Sequence, residues 1–344
     1  MKFTDNLRSR PTQLMLGLFG ILALGASGSL HASEISATER QAIVDRADSI
    51  ARLHSLLVLH QGEAVVEHVR AGPGLSTPAN LKSLSKTVLS ALAGIAIERG
   101  LVEGTGQPIV DLLGSRVPET TAAEVSEITL GHALSLQTGL RSTSGRHYGA
   151  WVQSENWVAH ALTRPMVDEP GGRMIYSTGS SHLAGAALVE ASGRSLLALA
   201  RDWLGEPLNI RIPDWMQDPQ GIHFGGNEMK LSPRALARFG ELYRLGGVID
   251  GERVLSESWI EASWTPRGRS PWSGDRYGYG WFISELAGER SYHGRGYGGQ
   301  ALFVIPGADL TIVVISDPTP PSNGAHFGRL KRLAASIVEA AGSP

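Results

Sequence analysis

Cysteine is absent from the sequence, so the mature protein carries no disulfide and no cysteine-linked lipid. A chain of 344 residues buries roughly three quarters of its unfolded surface on folding, so a large core can stand without covalent staples. Export without disulfides is consistent with a bacterial periplasm. Charge of one sign is missing too. The 31 Lys+Arg and 33 Asp+Glu leave a net charge of −2, without the basic excess that a nucleic-acid partner calls for. Two hydrolase signatures are not found: there is no Gly-x-Ser-x-Gly of an α/β-hydrolase and no His-Glu-x-x-His of a zinc hydrolase. His54, His60 and His68 fall on expected strands or at their edges without metal-ligand spacing, and no metal or cofactor is implied. Lysine is the last scarcity. Lys2, Lys82, Lys86, Lys230 and Lys331 are the only lysines, and arginine supplies the rest of the 31 basic residues. A lysine that persists in such a chain raises the question of what an amine does that a guanidinium cannot.

The one extended apolar run lies near the N-terminus. Lys2, Arg8 and Arg10 precede the stretch Leu14 to Ala26, which is broken by glycines and is short for a membrane span. Leu30-His31-Ala32 offers a cleavage site after Ala32. Residues 1–32 are therefore expected to be a secretory signal peptide, with an uncleaved anchor as the alternative, and the mature chain to be periplasmic or secreted. The segment carries three positive and one negative side chains, so its loss takes the charge from −2 to −4.

Periodicity predicts a helix over Glu39 to Leu53, then two strands within Ser55 to Val69 around Gln61-Gly62-Glu63. Leu84, Val88, Ala91, Leu92 and Ile95 recur at helical spacing, which predicts a helix over Ser83 to Arg99 stopped by Gly100. Helical patterns follow at Ile128 to Ser135, Trp151 to Leu162, Ser181 to Ser192 and Arg234 to Leu245. The last third reads as strands at Tyr279 to Ser284, Gln300 to Ile305 and Leu310 to Ser316, the last two joined by Pro306-Gly307-Ala308-Asp309, before a closing helix over Ala325 to Ala341. The order predicts an α+β fold: an antiparallel sheet built from both chain ends and flanked by terminal helices, plus a mostly helical subdomain. Residues 33–344 would form one such domain, the α/β part about 33–80 and 275–344 and the helical part about 81–274, with a cleft between them.

Ser83-Leu84-Ser85-Lys86 puts a hydroxyl and an amine one turn apart on the same helix face. A helix N-terminus favours a developing alkoxide. A buried lysine can lose enough basicity to hold a neutral amine at neutral pH, which arginine cannot do. Spacing alone equally describes a capping serine beside a solvated lysine. Tyr176, in the loop Gly171 to Gly179 ahead of a helix, is a candidate proton relay. Tyr292-His293-Gly294-Arg295-Gly296-Tyr297-Gly298-Gly299 leads into the strand at Gln300. Its amides, with that of Ser83, are candidates for an oxyanion hole. Tyr148, Trp151 and Trp281 either line an apolar pocket or pack in the core.

Taken in order, Ser-x-x-Lys on a helix, Tyr176 and a Gly-rich strand near the C-terminus resemble the penicillin-recognising serine hydrolases. The chain is most similar to their class C β-lactamase-related branch of esterases, D-amino-acid peptidases and 6-aminohexanoate-dimer hydrolases. Ile128 to Ser135, Thr138-Gly139-Leu140, Pro170-Gly171-Gly172, Gly225-Gly226-Asn227, Leu231-Ser232-Pro233 and Tyr277 to Trp281 are further stretches of the same kind. The resemblance implies a nucleophilic Ser83, proton handling by Lys86 and Tyr176, an acyl-enzyme, and a small ester, amide or short peptide-like substrate. The sequence departs from the family at two points. Tyr-x-Asn is Tyr176-Ser177-Thr178 here, and Lys-Thr-Gly is absent, with His293-Gly294-Arg295 nearest. Thr178, His293, Gly294, Arg295 and Gly296 are thus the candidate substrate-binding or oxyanion residues. Weak or no β-lactamase activity is expected, with a non-catalytic ligand-binding relative or a true class C-type β-lactamase as the alternatives.

Overall fold

The computed structural model describes residues 35–342. The expected signal peptide lies outside the described residues. An eight-stranded antiparallel sheet is built from β1 (Leu53–His60), β2 (Glu63–Val69), β3 (Gly268–Arg269), β4 (Arg276–Tyr277), β5 (Phe282–Leu286), β6 (Glu289–Gly296), β7 (Gln300–Ile305) and β8 (Leu310–Ser316). Its order is β2-β1-β8-β7-β6-β5-β4-β3. The central strand β8, Leu-Thr-Ile-Val-Val-Ile-Ser, is buried at every position, as its unbroken apolar run requires of a strand covered on both faces. On the edge strand β2 only Val66 is buried, and charged side chains face solvent.

One face of the sheet is covered by the terminal helices α1 (Ala37–Asp48) and α5 (Gly324–Ala341). Leu56, Val58, Phe303, Ile312 and Val314 pack there with Ile43, Phe327, Leu330 and Ile337. The alternate residues Leu57, Leu302, Val304, Val313 and Ile315 point the other way, into a core shared with α2 (Ser85–Glu98), α3 (Thr178–Ser192) and α4 (Pro233–Arg244). This parity of the strands makes two cores and sets α2 against the inner face. Every residue of α2 from Ser85 to Ala96 is buried. Small side chains permit that, and a methyl on Gly94 would overlap the Trp259 indole. No single helix among the described residues is long and apolar enough to cross a membrane.

The first helix ends at Asp48, short of Leu53, which opens β1, and three other elements differ from expectation. The helix expected over Trp151 to Leu162 is two, Tyr148–Val152 and Trp157–Leu162. Asn156 ends the gap by accepting from the Ala159 N–H at 2.9 Å, an N-cap within the polar run Gln153 to Asn156. The indoles close the break, Trp151 Nε1 donating to Trp157 O at 3.0 Å and Trp157 Nε1 to Val152 O at 3.2 Å. Near the C-terminus the strand begins at Phe282 and not Tyr279, because Gly280 turns the chain at φ +77°. The Gly-rich stretch ahead of Gln300 belongs to a strand of its own, β6, paired with β7 from Tyr292↔Val304 to Gly296↔Gln300.

Candidate active site

Ser83 sits in a 3-10 turn, Lys82–Leu84, that runs into α2. Lys82, just before it, has φ +52°, unusual for a side-chain-bearing residue. The conformation is held from three sides. The Lys82 N–H donates to Asn80 Oδ1 at 2.8 Å, its ammonium donates to Glu228 Oε1 at 2.9 Å, and Asn80 Nδ2 donates to the other Glu228 oxygen. Strain at a turn survives where neighbours over-determine it, which is common at reacting groups.

One turn on, Lys86 is buried and reaches three oxygens. Its Nζ lies 2.9 Å from Gly226 O, 3.3 Å from Ser83 Oγ and 3.4 Å from Thr178 Oγ1. No carboxylate pairs with it among the described residues. Burial therefore pulls its pKa from 10.5 down to about 7. A neutral amine has two protons and one lone pair. With Gly226 O able only to accept, one hydroxyl must then donate to Nζ, and Ser83 is placed to do so.

The Tyr176 ring lies under the amine, its centroid 5.1 Å from Lys86 Nζ. Burial raises the phenol pKa, while a hydrogen bond with Ser83 and the charge of Arg295 oppose the rise. Tyr176 thus remains a neutral phenol at pH 7. Its loop is fixed by Ser142 Oγ, which donates to Tyr176 O at 2.6 Å. Ser144 does the same for Thr178, its Oγ accepting from the Thr178 N–H at 2.9 Å and meeting Thr178 Oγ1 at 3.1 Å.

The carbonyl that receives Lys86 is held by a pair that the sequence analysis did not single out. His182, on α3, bonds Asp218 through Nε2 at 3.0 Å, and its Nδ1 accepts from the Gly225 N–H at 3.1 Å. With Nδ1 turned to the Gly225 N–H, Nε2 is the ring nitrogen that bonds Asp218. Burial pushes Asp218 up, but bonds from His182 and the Ile222 and Gln220 amides outweigh it and hold the carboxyl below its usual range. Ser181 Oγ donates to Gly225 O at 2.9 Å. Gly225 is thereby tied to α3 through both backbone groups, and Gly226 O is aimed at Lys86. Gly226 has φ +78°, and a Cβ there would lie 2.6 Å from Lys86 Cγ and 2.7 Å from Ser181 Oγ. Gly226→Ala is expected to displace the Lys86 side chain and to cost about 2 kcal/mol of stability. Urea unfolding of the variant checks this, and an unchanged midpoint would refute it.

The four candidates on β6 separate by parity. Gly294 and Gly296 face the Ser83 turn. A Cβ on Gly294 would lie 2.6 Å from Thr87 Oγ1 and 3.0 Å from Leu84 Cγ, and one on Gly296 would overlap Leu81 O. These glycines let the turn lie flat on β6. Pairing with β5 ends at His293↔Phe282, so the Gly294 to Gly296 backbone has no strand partner on that side. His293 is a correction to the expected substrate-binding set. Its side chain is fully buried on the opposite face, among Phe282, Phe303 and Phe327. It lies 3.7 Å from Asp275, and burial pulls its pKa down to about 4. Arg295 is held over the Phe282 and Phe327 rings at 5.4 and 4.4 Å, close enough for its charge to act on Tyr176. Trp151 and Trp281 are core residues with no exposure. Tyr148 is half-buried, and its hydroxyl accepts from Asn227 Nδ2 at 3.1 Å.

Residues 54–336 match the family model described as Beta-lactamase. The 6-aminohexanoate-dimer hydrolase of Paenarthrobacter ureafaciens is 25% identical over 297 residues, 79% of this chain and 74% of that protein. A penicillin-binding protein homologue from Caulobacter crescentus superposes with a TM-score of 0.72 at 18% identity, covering 90% of this chain and 99% of that one. EstCE1, described as a hydrolase with promiscuous acyltransferase activity, gives a TM-score of 0.70 at 18% identity, with 89% and 98% covered.

Proposed function

The chain belongs to the β-lactamase family, and we propose that it is a serine hydrolase that opens an ester or amide through an acyl-enzyme on Ser83. The observation that carries this reading is the buried Lys86 amine, without a carboxylate partner and 3.3 Å from Ser83 Oγ. In the first half-reaction the Ser83 proton passes to Lys86, directly or through Tyr176, as Oγ bonds to the substrate carbonyl carbon. Lys86 and Tyr176 act as a coupled pair. The carbonyl oxygen takes up negative charge against the Ser83 N–H and an amide of the unpaired Gly294 to Gly296 backbone. The carbon–oxygen or carbon–nitrogen bond then breaks, and the leaving alcohol or amine takes the proton. In the second half a water attacks the acyl-Ser83 ester, the acid leaves, and Ser83 regains its proton.

A dedicated β-lactamase is disfavoured by two features. Thr178 offers a hydroxyl in place of the amide of Tyr-x-Asn. The β6 position nearest the missing lysine of Lys-Thr-Gly carries His293, whose side chain points out of the cleft. Nitrocefin is accordingly expected to be a poor substrate beside simple esters. Export to the periplasm or the medium, on the strength of the expected signal segment, belongs to the same proposal. A fluorophosphonate probe tests the reading. Stoichiometric labelling at Ser83, with a rate that climbs as pH rises through about 7, is the expected result. A folded protein that stays unlabelled would instead mark a ligand-binding relative.

A further inference from the structure

A second feature adjoins the catalytic cluster and is not used by the proton chemistry. A cavity of about 550 Å³ opens beside Tyr176 and Ser144, two residues that also contact the Ser83 and Lys86 constellation. Its body is apolar, lined by Val167, Met174, Ile175 and Trp272. The Trp272 ring stands edge-on to Tyr176 with centroids 5.5 Å apart and is 70% exposed, a large aromatic surface left open to whatever enters.

The rim is charged in one sense only. Arg141, Arg146 and Arg173 line it, and no aspartate or glutamate does. Arg173 is neutralised by Asp168 at 2.9 Å. Arg141 and Arg146 form no ion pair among the described residues. Arg146 instead donates through Nε to His147 Nε2 at 3.2 Å, which requires that nitrogen to be unprotonated. Burial and the charges of Arg164, Arg146 and Arg141 hold the His147 pKa below its usual value, consistent with a local positive field. Two uncompensated guanidiniums at one pocket stand out in a chain whose net charge is −2.

We propose that this cavity is an acyl-side subsite for substrates that end in a carboxylate, the apolar stem lying along Trp272 and Met174 and the anion meeting Arg141 and Arg146. The inference rests on the Ser83 reading for the position of the scissile carbonyl and deepens it to a substrate class: esters or amides of dicarboxylic-type acids. Arginine suits the role because its planar fork binds a carboxylate with two parallel hydrogen bonds. Both arginines are solvent-exposed, so the preference is expected to be about tenfold and to weaken with salt.

The test compares the p-nitrophenyl half-ester of adipic acid with its methyl-capped, neutral counterpart. The native protein should favour the anionic ester in kcat/KM by about tenfold, mostly through KM. In Arg141→Gln/Arg146→Gln the ratio should fall to about one, and 0.5 M salt should do the same to the native protein. In Arg141→Glu/Arg146→Glu the preference should pass to an ester ending in trimethylammonium. Equal rates for the two adipate esters in the native protein, or a ratio that ignores both double variants, overturns the proposal. The Ser83 reading fails separately, if Ser83→Ala still cleaves either ester. In that event calorimetry of adipate on the Ser83→Ala protein, with and without the arginines, still decides whether the cavity binds the anion.

Discussion

Ser83→Ala is expected to lower kcat/KM for a p-nitrophenyl ester by about 10⁴-fold or more, with a melting temperature close to that of the native protein. The size follows from what is lost. On the proposed reading no acyl-enzyme forms without Oγ, and only water activated by the remaining groups can attack. In enzymes with a nucleophile, base and oxyanion hole, the residual rate after loss of the nucleophile comes from binding and the oxyanion hole alone. Stability should scarcely change, because Ser83 is only partly buried and its hydroxyl serves Lys86 and Tyr176, not a cap or the core. The packing of the turn depends on Leu84, Ser85 and the two β6 glycines, all of which remain. Purified variant protein, an ester assay and intact-mass detection of the acyl adduct make the measurement. Undiminished hydrolysis or a persisting adduct would remove Ser83 from the mechanism.

The parts of this site that were legible in the sequence are those written in side-chain type at short spacing. Ser83 and Lys86 are one helical turn apart, and the helix that joins them announces itself through Leu84, Val88, Leu92 and Ile95. The sheet was legible for a similar reason: β7 and β8 are apolar runs joined by Pro306 to Asp309, and β1 and β2 flank Gln61-Gly62. What could not be read was which way each residue of β6 faces. Gly294 and Gly296 pack on the Ser83 turn, so the intervening parity sends His293 into the outer core, and a one-residue shift would have reversed the assignment. The Lys86 acceptor was hidden for a different reason. Gly226 O is a backbone atom with no signature of its own, and the His182–Asp218 pair that aims it is brought together only by tertiary folding. The same holds for Ser142 and Ser144, whose hydroxyls reach residues 34 positions away. The Asn156 cap that splits the Trp151 to Leu162 helix is a local signal, a capping residue at the end of the polar run Gln153 to Asn156, masked by the helical patterns on either side of it.

Lys86 carries the second large effect, and it couples activity to stability in opposite directions. In the proposed mechanism the neutral amine is the working form, so kcat/KM should rise with pH along a limb centred near 7 and level off above it. Lys86→Arg keeps a positive charge but has no neutral form at any accessible pH, and turnover should fall about 10³-fold or more. Lys86→Met should be equally inactive yet more stable at low pH. The native pKa of about 7 lies below the unfolded value near 10.5. Between those limits the unfolded chain binds more protons than the folded one, so folded stability rises with pH across that window. Below pH 7 the buried ammonium exacts its full penalty. Removing it at pH 6 relieves a desolvation cost of several kcal/mol by the size of the shift, offset in part by leaving Gly226 O unpaired, for a net gain of about 2 kcal/mol. By pH 10 the native amine is neutral, the gain has gone, and the lost hydrogen bond leaves the variant the weaker of the two. Urea unfolding of both proteins at pH 6, 8 and 10 reads the difference directly, with other titrating groups cancelling between them. A stability difference that does not move with pH would mean that Lys86 titrates as an ordinary lysine. It would then be a structural cation, and another group would have to take the proton from Ser83.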